Sequence, residues 1–324
     1  MYRTRCLAYG VLLAGGLVSS VGGASPEVLQ VPGEYPTIAA ALAGAPEGAT
    51  IQLAPGEYTE QVEITRSVTL LGPAQGEAVV LGRLDVPGIH VHDTSGVAIQ
   101  GLTVVGAKYG IFVERSTGVL VQNNLVRQSR LVGIRVRNAS ATVVDNTVLD
   151  GAAPYGEGIH VTMAMEWPES QIERNLVMGN AAEGIVTNMA HVSIVGNTVR
   201  ANARRGIAVT EMSQALVEAN VVLENSLTGI YVTDMSHATV QDNVVSGTLP
   251  ARDGPVGIAH GIMVDFWAVA LIRRNQITDN GAYGIAVLLN ARAQVGENQL
   301  ADNRGGDLYV DASAQVAPGV GLGT

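Results

Sequence analysis

Eight side chains stand two or four residues after a glycine on four successive G-I-x-V segments: His90 and His92, Phe112 and Glu114, Arg135 and Arg137, His160 and Thr162. If each segment is a strand, alternation turns the isoleucine and valine to one face and these eight to the other. A histidine, a carboxylate and two arginines on neighbouring strands are what acid-base chemistry on a carboxylated sugar needs. Arg135 and Arg137 would hold the carboxylate, His160 would take the proton, and Glu114 would orient the site or return a proton. The same residues would equally serve as a solvated face whose charges pair across strands.

Two other groupings suggest different chemistry. Glu211 and Asp234 lie one place beyond the same outward positions on adjacent segments, where a carboxylate pair would suit glycoside hydrolysis. Met189, Met212 and Met235 each precede an asparagine by eight residues, with His191, Gln214 and His237 two places on, and Trp167 and Trp267 share that offset on the flanking segments. Thioether and imidazole together suit copper, and a methionine stack also fills space at a bend.

The elements that must position these residues form a repeat. Glycines open similar segments at Gly88, Gly110, Gly133, Gly158, Gly184, Gly206, Gly229, Gly261 and Gly284, mostly 22 to 26 residues apart with one interval of 32. That period belongs to solenoids. Within each unit apolar residues alternate and β-branched residues abound, which predicts three short strands per rung and excludes a helical repeat. Asn124, Asn146, Asn175, Asn197, Asn220, Asn243, Asn275 and Asn298 recur in step with the glycines. Rungs about 4.8 Å apart would stack these amides on one another and on backbone groups at a bend. A second set, Asn180, Asn202, Asn225, Asn280 and Asn303, lies five residues later. The fold class is therefore all-β: a single-stranded right-handed parallel β-helix of about ten rungs.

Insertions mark where a working surface belongs. Extra residues fall in Asp150 to Glu157, before the His160 strand, and in Met163 to Ser170, after it. These loops would wall a groove floored by His160, with Tyr155 and Trp167 as apolar faces for sugar rings. His90, His92 and Phe112 would extend the substrate-binding strip. A third insertion, Thr248 to Ala259, precedes Gly261.

The repeats resemble those of the pectin-lyase-like superfamily of right-handed parallel β-helices. They are also similar to the repeat domain shared by carbohydrate-binding and sugar-hydrolase β-helices and by nitrous-oxide-reductase accessory proteins. The first resemblance implies an exported protein that binds or processes an extracellular or cell-wall polysaccharide or oligosaccharide as a lyase, epimerase or glycoside hydrolase, with no cofactor. The second implies a periplasmic scaffold for copper-site maturation or partner binding, with copper held by Met189, His191, Met212, Met235 and His237. Val31 to Ile64 resembles the opening segment of pectinesterases, and Val264-Asp265-Phe266 and Gln241-Asp242 look like fragments of their catalytic segments. The register argues against that activity: Asp242 is thirteen residues past its glycine and Asp265 four, which puts them on different faces.

The ends complete the plan. Residues 1–24 read as a secretory signal, with Arg3 and Arg5 ahead of an apolar run and Gly22-Gly23-Ala24 as the cleavage site. Cys6, the one cysteine, would leave with it, so the mature chain would have no thiol chemistry. Removal takes two of 19 basic residues and none of 29 acidic ones, leaving 17 against 29, a charge of -12. A nucleic-acid partner is thereby excluded, and the same charge disfavours a long polyuronate unless arginines cluster locally, while tolerating a neutral glycan. A soluble monomer, secreted or periplasmic and without a membrane span, is expected. Residues 25–85 form a cap and first rungs, with Thr37 capping an Ala-rich helix ended by Gly44 and Pro46 that covers the open end of the coil. Repeats run over 86–311, and 312–324 is a Gly-rich tail.

Overall fold

The structure, a computed structural model, describes residues 27–250 and 258–318. The signal segment and the centre of the third insertion lie outside them. Each rung contributes three short strands, and every strand pair is parallel, as between Tyr109–Glu114 and Val132–Arg137. One stack forms an 11-stranded sheet, and the other two are joined through the long strand Ile185–Val195. The coil has about twelve turns rather than the expected ten. The added turns come from residues 27–85, whose strands pair with the repeats although they lack the glycine and asparagine signature: Val28–Val31 lies on Ala49–Leu53, and Val62–Ile64 on Ile89–His92.

The core is a set of inward columns. Ile89, Ile111, Ile134, Ile159, Ile185, Ile207, Ile230, Ile262 and Ile285 are in register on consecutive rungs, and each is fully buried. Burial of such a side chain contributes roughly 1.5 to 3 kcal/mol. The glycine that precedes each isoleucine is required by close packing. A Cβ on Gly110 would meet Val126 Cγ1 at 2.2 Å and the Gly133 carbonyl oxygen at 2.6 Å.

The asparagine column stacks as expected. From Asn124 to Asn298 each Nδ2 donates to the next Oδ1 at 2.9 to 3.0 Å. The second column runs Asn180, Asn202, Asn225 and again Asn280, Asn303, with Thr248 in the rung between. The N-terminal end is covered by the helix Ile38–Gly44, capped by Thr37. At the other end the tail is partly ordered: Gln315–Pro318 pairs with Arg292–Gly296. No helix among the described residues is long and apolar enough to cross a membrane.

Candidate functional site

Alternation places the eight side chains on one outer face, in two rows. Glu63, His90, Phe112, Arg135, His160 and Val186 are neighbours in register, and beside them run His92, Glu114, Arg137, Thr162 and Asn188. The strands hold them there because the alternate residues are locked into the core.

At one end of the face, Glu63 Oε2 lies 3.1 Å from both His90 Nδ1 and His92 Nε2. His92 Nδ1 is 2.9 Å from Asp93 Oδ2, and Arg115 grips both Asp93 oxygens at 2.7 Å. Those bonds from Arg115, then from His92, hold the Asp93 carboxyl well below its ordinary value. Burial pushes the His90 imidazole down, against the pull of Glu63. Phe112 stacks on His90 with ring centroids 4.8 Å apart. Glu114 is buried and faces Arg115 at 2.9 Å and Arg137 at 3.2 Å.

In mid-face, Arg135 lies over the Tyr109 ring at 5.1 Å and donates to its hydroxyl at 3.3 Å. Its buried Nε has no partner among the described residues. His160 is held at both nitrogens, by Glu157 Oε2 at 2.7 Å and by Asn188. Arg137 is thus engaged by Glu114, whereas Arg135 keeps an unused donor beside His160.

The two walls divide. Tyr155 is exposed in the loop before the His160 strand, whereas Trp167 donates to Asn138 at 2.9 Å and lines a concavity with Asp93, Arg115 and Ser116. Trp167 also leaves the column sequence offsets gave it. The register Ala164 with Ala190 puts Met163 level with Met189, because the inserted residues fall after that point. The column is therefore Met163, Met189, Met212, Met235 and Trp267, all at left-handed bend positions. His191 and His237 lie on another sheet with Gln214 between them, two rungs or about 10 Å apart, so they do not converge on one ion. They line a shallow concavity of about 510 Å³ with Glu169 and Leu271. Glu211 and Asp234 occupy bend positions with left-handed backbone.

Sequence reading missed Glu63, Asp93, Tyr109, Arg115 and Glu157, which complete the face. Glu63 carries no glycine signature, and Tyr109 and Glu157 precede theirs. A further cluster lies along the same face, where the Tyr231 hydroxyl donates to Asp265 Oδ2 at 3.0 Å and Arg205 covers the Tyr231 ring at 4.4 Å. Burial pushes the Tyr231 hydroxyl up to about 12 and raises the Asp265 carboxyl.

Comparison with known proteins agrees with this architecture. A cell surface glycoprotein of Methanothermus fervidus is 29% identical over 87 residues, 27% of this chain, and the chain spans 14% of that protein's length. The A-module of the Azotobacter vinelandii mannuronan C-5 epimerase AlgE6 superposes with a TM-score of 0.61 at 18% identity, covering 87% of this chain and 93% of the module. The catalytic unit of a GH87 α-1,3-glucanase from Streptomyces thermodiastaticus superposes with a TM-score of 0.63 at 14% identity, over 93% and 70% of the two chains. At these identities the likeness shows a shared fold. The model of the right-handed β-helix region matches residues 87–248, half of the sequence, and the chain belongs to that family.

Proposed function

We propose that this protein is exported and binds a polysaccharide along the outer face between Phe112 and His160, and that it acts on uronate residues there as an epimerase or lyase. The observation that carries this reading is the part-exposed Arg135 guanidinium in register with His160. A guanidinium takes a sugar carboxylate through its terminal nitrogens, and the adjacent strand then brings an imidazole to the carbon that bears it. The part-exposed Tyr109, backed by the buried Phe112 at a centroid distance of 5.1 Å, offers an apolar surface for the ring. The shared fold of a mannuronan C-5 epimerase module and an α-1,3-glucanase supports a glycan as the ligand.

Glu157 orients the His160 ring through Nδ1. For catalysis Asn188, whose Oδ1 faces Nε2, must withdraw and Nε2 must be unprotonated, so that it takes the proton beside the carboxylate. Return of a proton to the opposite sugar face gives the epimer. Loss of the neighbouring glycosidic oxygen, which takes up a proton, gives the unsaturated product of a lyase.

A glycan array, followed by ultraviolet detection of unsaturated ends and by NMR of the sugar configuration, tests the reading. Wild type should retain a uronate glycan, and Arg135→Ala should lower that affinity at least tenfold with an unchanged melting curve. Unaltered retention in Arg135→Ala and His160→Ala would place binding elsewhere.

A copper-handling or partner-binding scaffold is the second reading, favoured by exposure of Met212, Met235 and Trp267 at 49%, 54% and 60%. Cu(I) uptake in competition with a chelator, lost in a triple Met189, Met212, Met235→Leu variant, would support it over the first.

A further inference from the structure

We propose that Glu63, His90 and His92 form a binding site for a first-row divalent transition metal, with Asp93 as the carboxylate that orients His92. The site does not depend on the polysaccharide reading, because neither Arg135 nor His160 is a ligand.

The strand geometry supplies the ligand set. His90 and His92 are alternate residues of Ile89–His92 and so leave the sheet on one side, and Glu63 is the cross-strand neighbour of His90. Glu63 Oε2, one nitrogen of His90 and one of His92 all lie within 4.8 Å of one another, with Glu63 3.1 Å from each imidazole. An ion with bonds of about 2.0 to 2.2 Å in tetrahedral array has ligand edges of about 3.3 Å, so small shifts of Glu63 and the two rings would close the site. Two imidazoles and one carboxylate leave a fourth position open to water or ligand.

Hydrogen-bond inventory shows why a cation belongs there. Arg115 fixes Asp93 as a carboxylate acceptor, so a neutral His92 carries its proton on Nδ1, 2.9 Å from Asp93. Its Nε2 then turns a lone pair toward Glu63 at 3.1 Å, where two acceptors oppose each other. Glu63 Oε1 is taken by the Gln61 amide, and no lysine or arginine bridges to Glu63 among the described residues. His90 Nε2 is buried without a hydrogen bond, 3.6 Å from Glu114. A divalent ion between Glu63 and the two rings converts the opposed lone pairs into ligands. The Asp93–His92 pair is then the carboxylate–histidine arrangement that fixes the ring and strengthens its donor nitrogen. The Phe112 stack holds the His90 ring in place.

The test uses the full-length mature protein, stripped with chelator and titrated with Zn(II) by calorimetry and with Co(II) by visible absorption. One equivalent is expected, with the intense d–d bands of a tetrahedral or five-coordinate nitrogen–oxygen site. Glu63→Gln, nearly isosteric, and His92→Ala should each weaken Zn(II) binding by at least a hundredfold. Asp93→Asn should weaken it roughly 10- to 100-fold and shift the Co(II) bands. Melting curves without metal confirm that each variant is folded, and Glu63→Gln guards against misfolding of the histidine variant. Sub-stoichiometric uptake by wild type, or full retention of one equivalent by folded Glu63→Gln and His92→Ala, overturns the site. Saccharide retention by Glu63→Gln separates this result from the fate of the polysaccharide reading.

Discussion

Asp265 is 2% exposed, accepts from the Tyr231 hydroxyl at Oδ2, and has the Thr233 hydroxyl beside it. Burial raises its folded pKa above the ordinary 3.8. In the interval between the unfolded and the folded pKa the native state holds more protons, so stability falls as pH rises through that interval. Above the folded pKa the cost of the buried charge is present in full. On acidification through the folded pKa it is relieved. Asp265→Asn removes the charge, keeps an acceptor for Tyr231, and sets an amide near the Thr233 hydroxyl. The variant should unfold at higher urea than wild type at neutral pH, with the gain shrinking as pH is lowered toward 4. A gain that grows on acidification would show that Asp265 is held charged by partners.

The bends and the cap show what an element contributes beyond its residues. Asn220 donates to Ile194 O at 2.8 Å and to Asn243 at 3.0 Å, and accepts from the Asn197 backbone and side chain. Asn220→Ala orphans groups on three rungs and should destabilise by roughly 1 to 3 kcal/mol in urea unfolding. At the cap, Thr37 accepts from Ala40 N and Glu60 accepts from Ile38 N and Ala39 N. Thr37→Ala should therefore cost about 1 kcal/mol, read from the same titration. Both features were legible in the sequence, because glycine, asparagine and cap residues have fixed roles at fixed spacing. The residue before each ladder asparagine was not: Arg174, Ala219 and Arg274 adopt left-handed backbone there, which no local preference suggests. The amide ladder imposes that turn. The outward rows were legible through alternation, so Arg135 and His160 fall on one face as expected. Trp167 was misplaced because an insertion shifts every offset counted through it. Glu63 was invisible, since its rung lacks the repeat signature and only strand pairing sets it beside His90.

As a whole the molecule is a one-dimensional stack in which each rung touches only its neighbours, so its ends govern how it opens. The two described ends differ. At the first, Ile38 and Ala41 are fully buried against the coil and cover the strand edges. At the other, every residue of Gly306–Val310 is exposed, including Leu308 at 45%, and Tyr309 stacks on Tyr283 at 4.9 Å. The asparagine ladder also stops short of that rung, at Asn298. Amide exchange should follow this gradient. Protection should be highest from Val132–Arg137 to Gln276–Thr278, where isoleucine and asparagine columns are both continuous, and lowest in Gly306–Val310 and Gln315–Pro318, with the capped Ala49–Leu53 strand well above the latter pair. Tyr309→Ala should speed exchange in Tyr283–Val287 and leave Ile185–Val195 unchanged. Equal protection of Gly306–Val310 and Ile185–Val195 would mean that the coil opens as one cooperative block, and the rung-by-rung picture would fail.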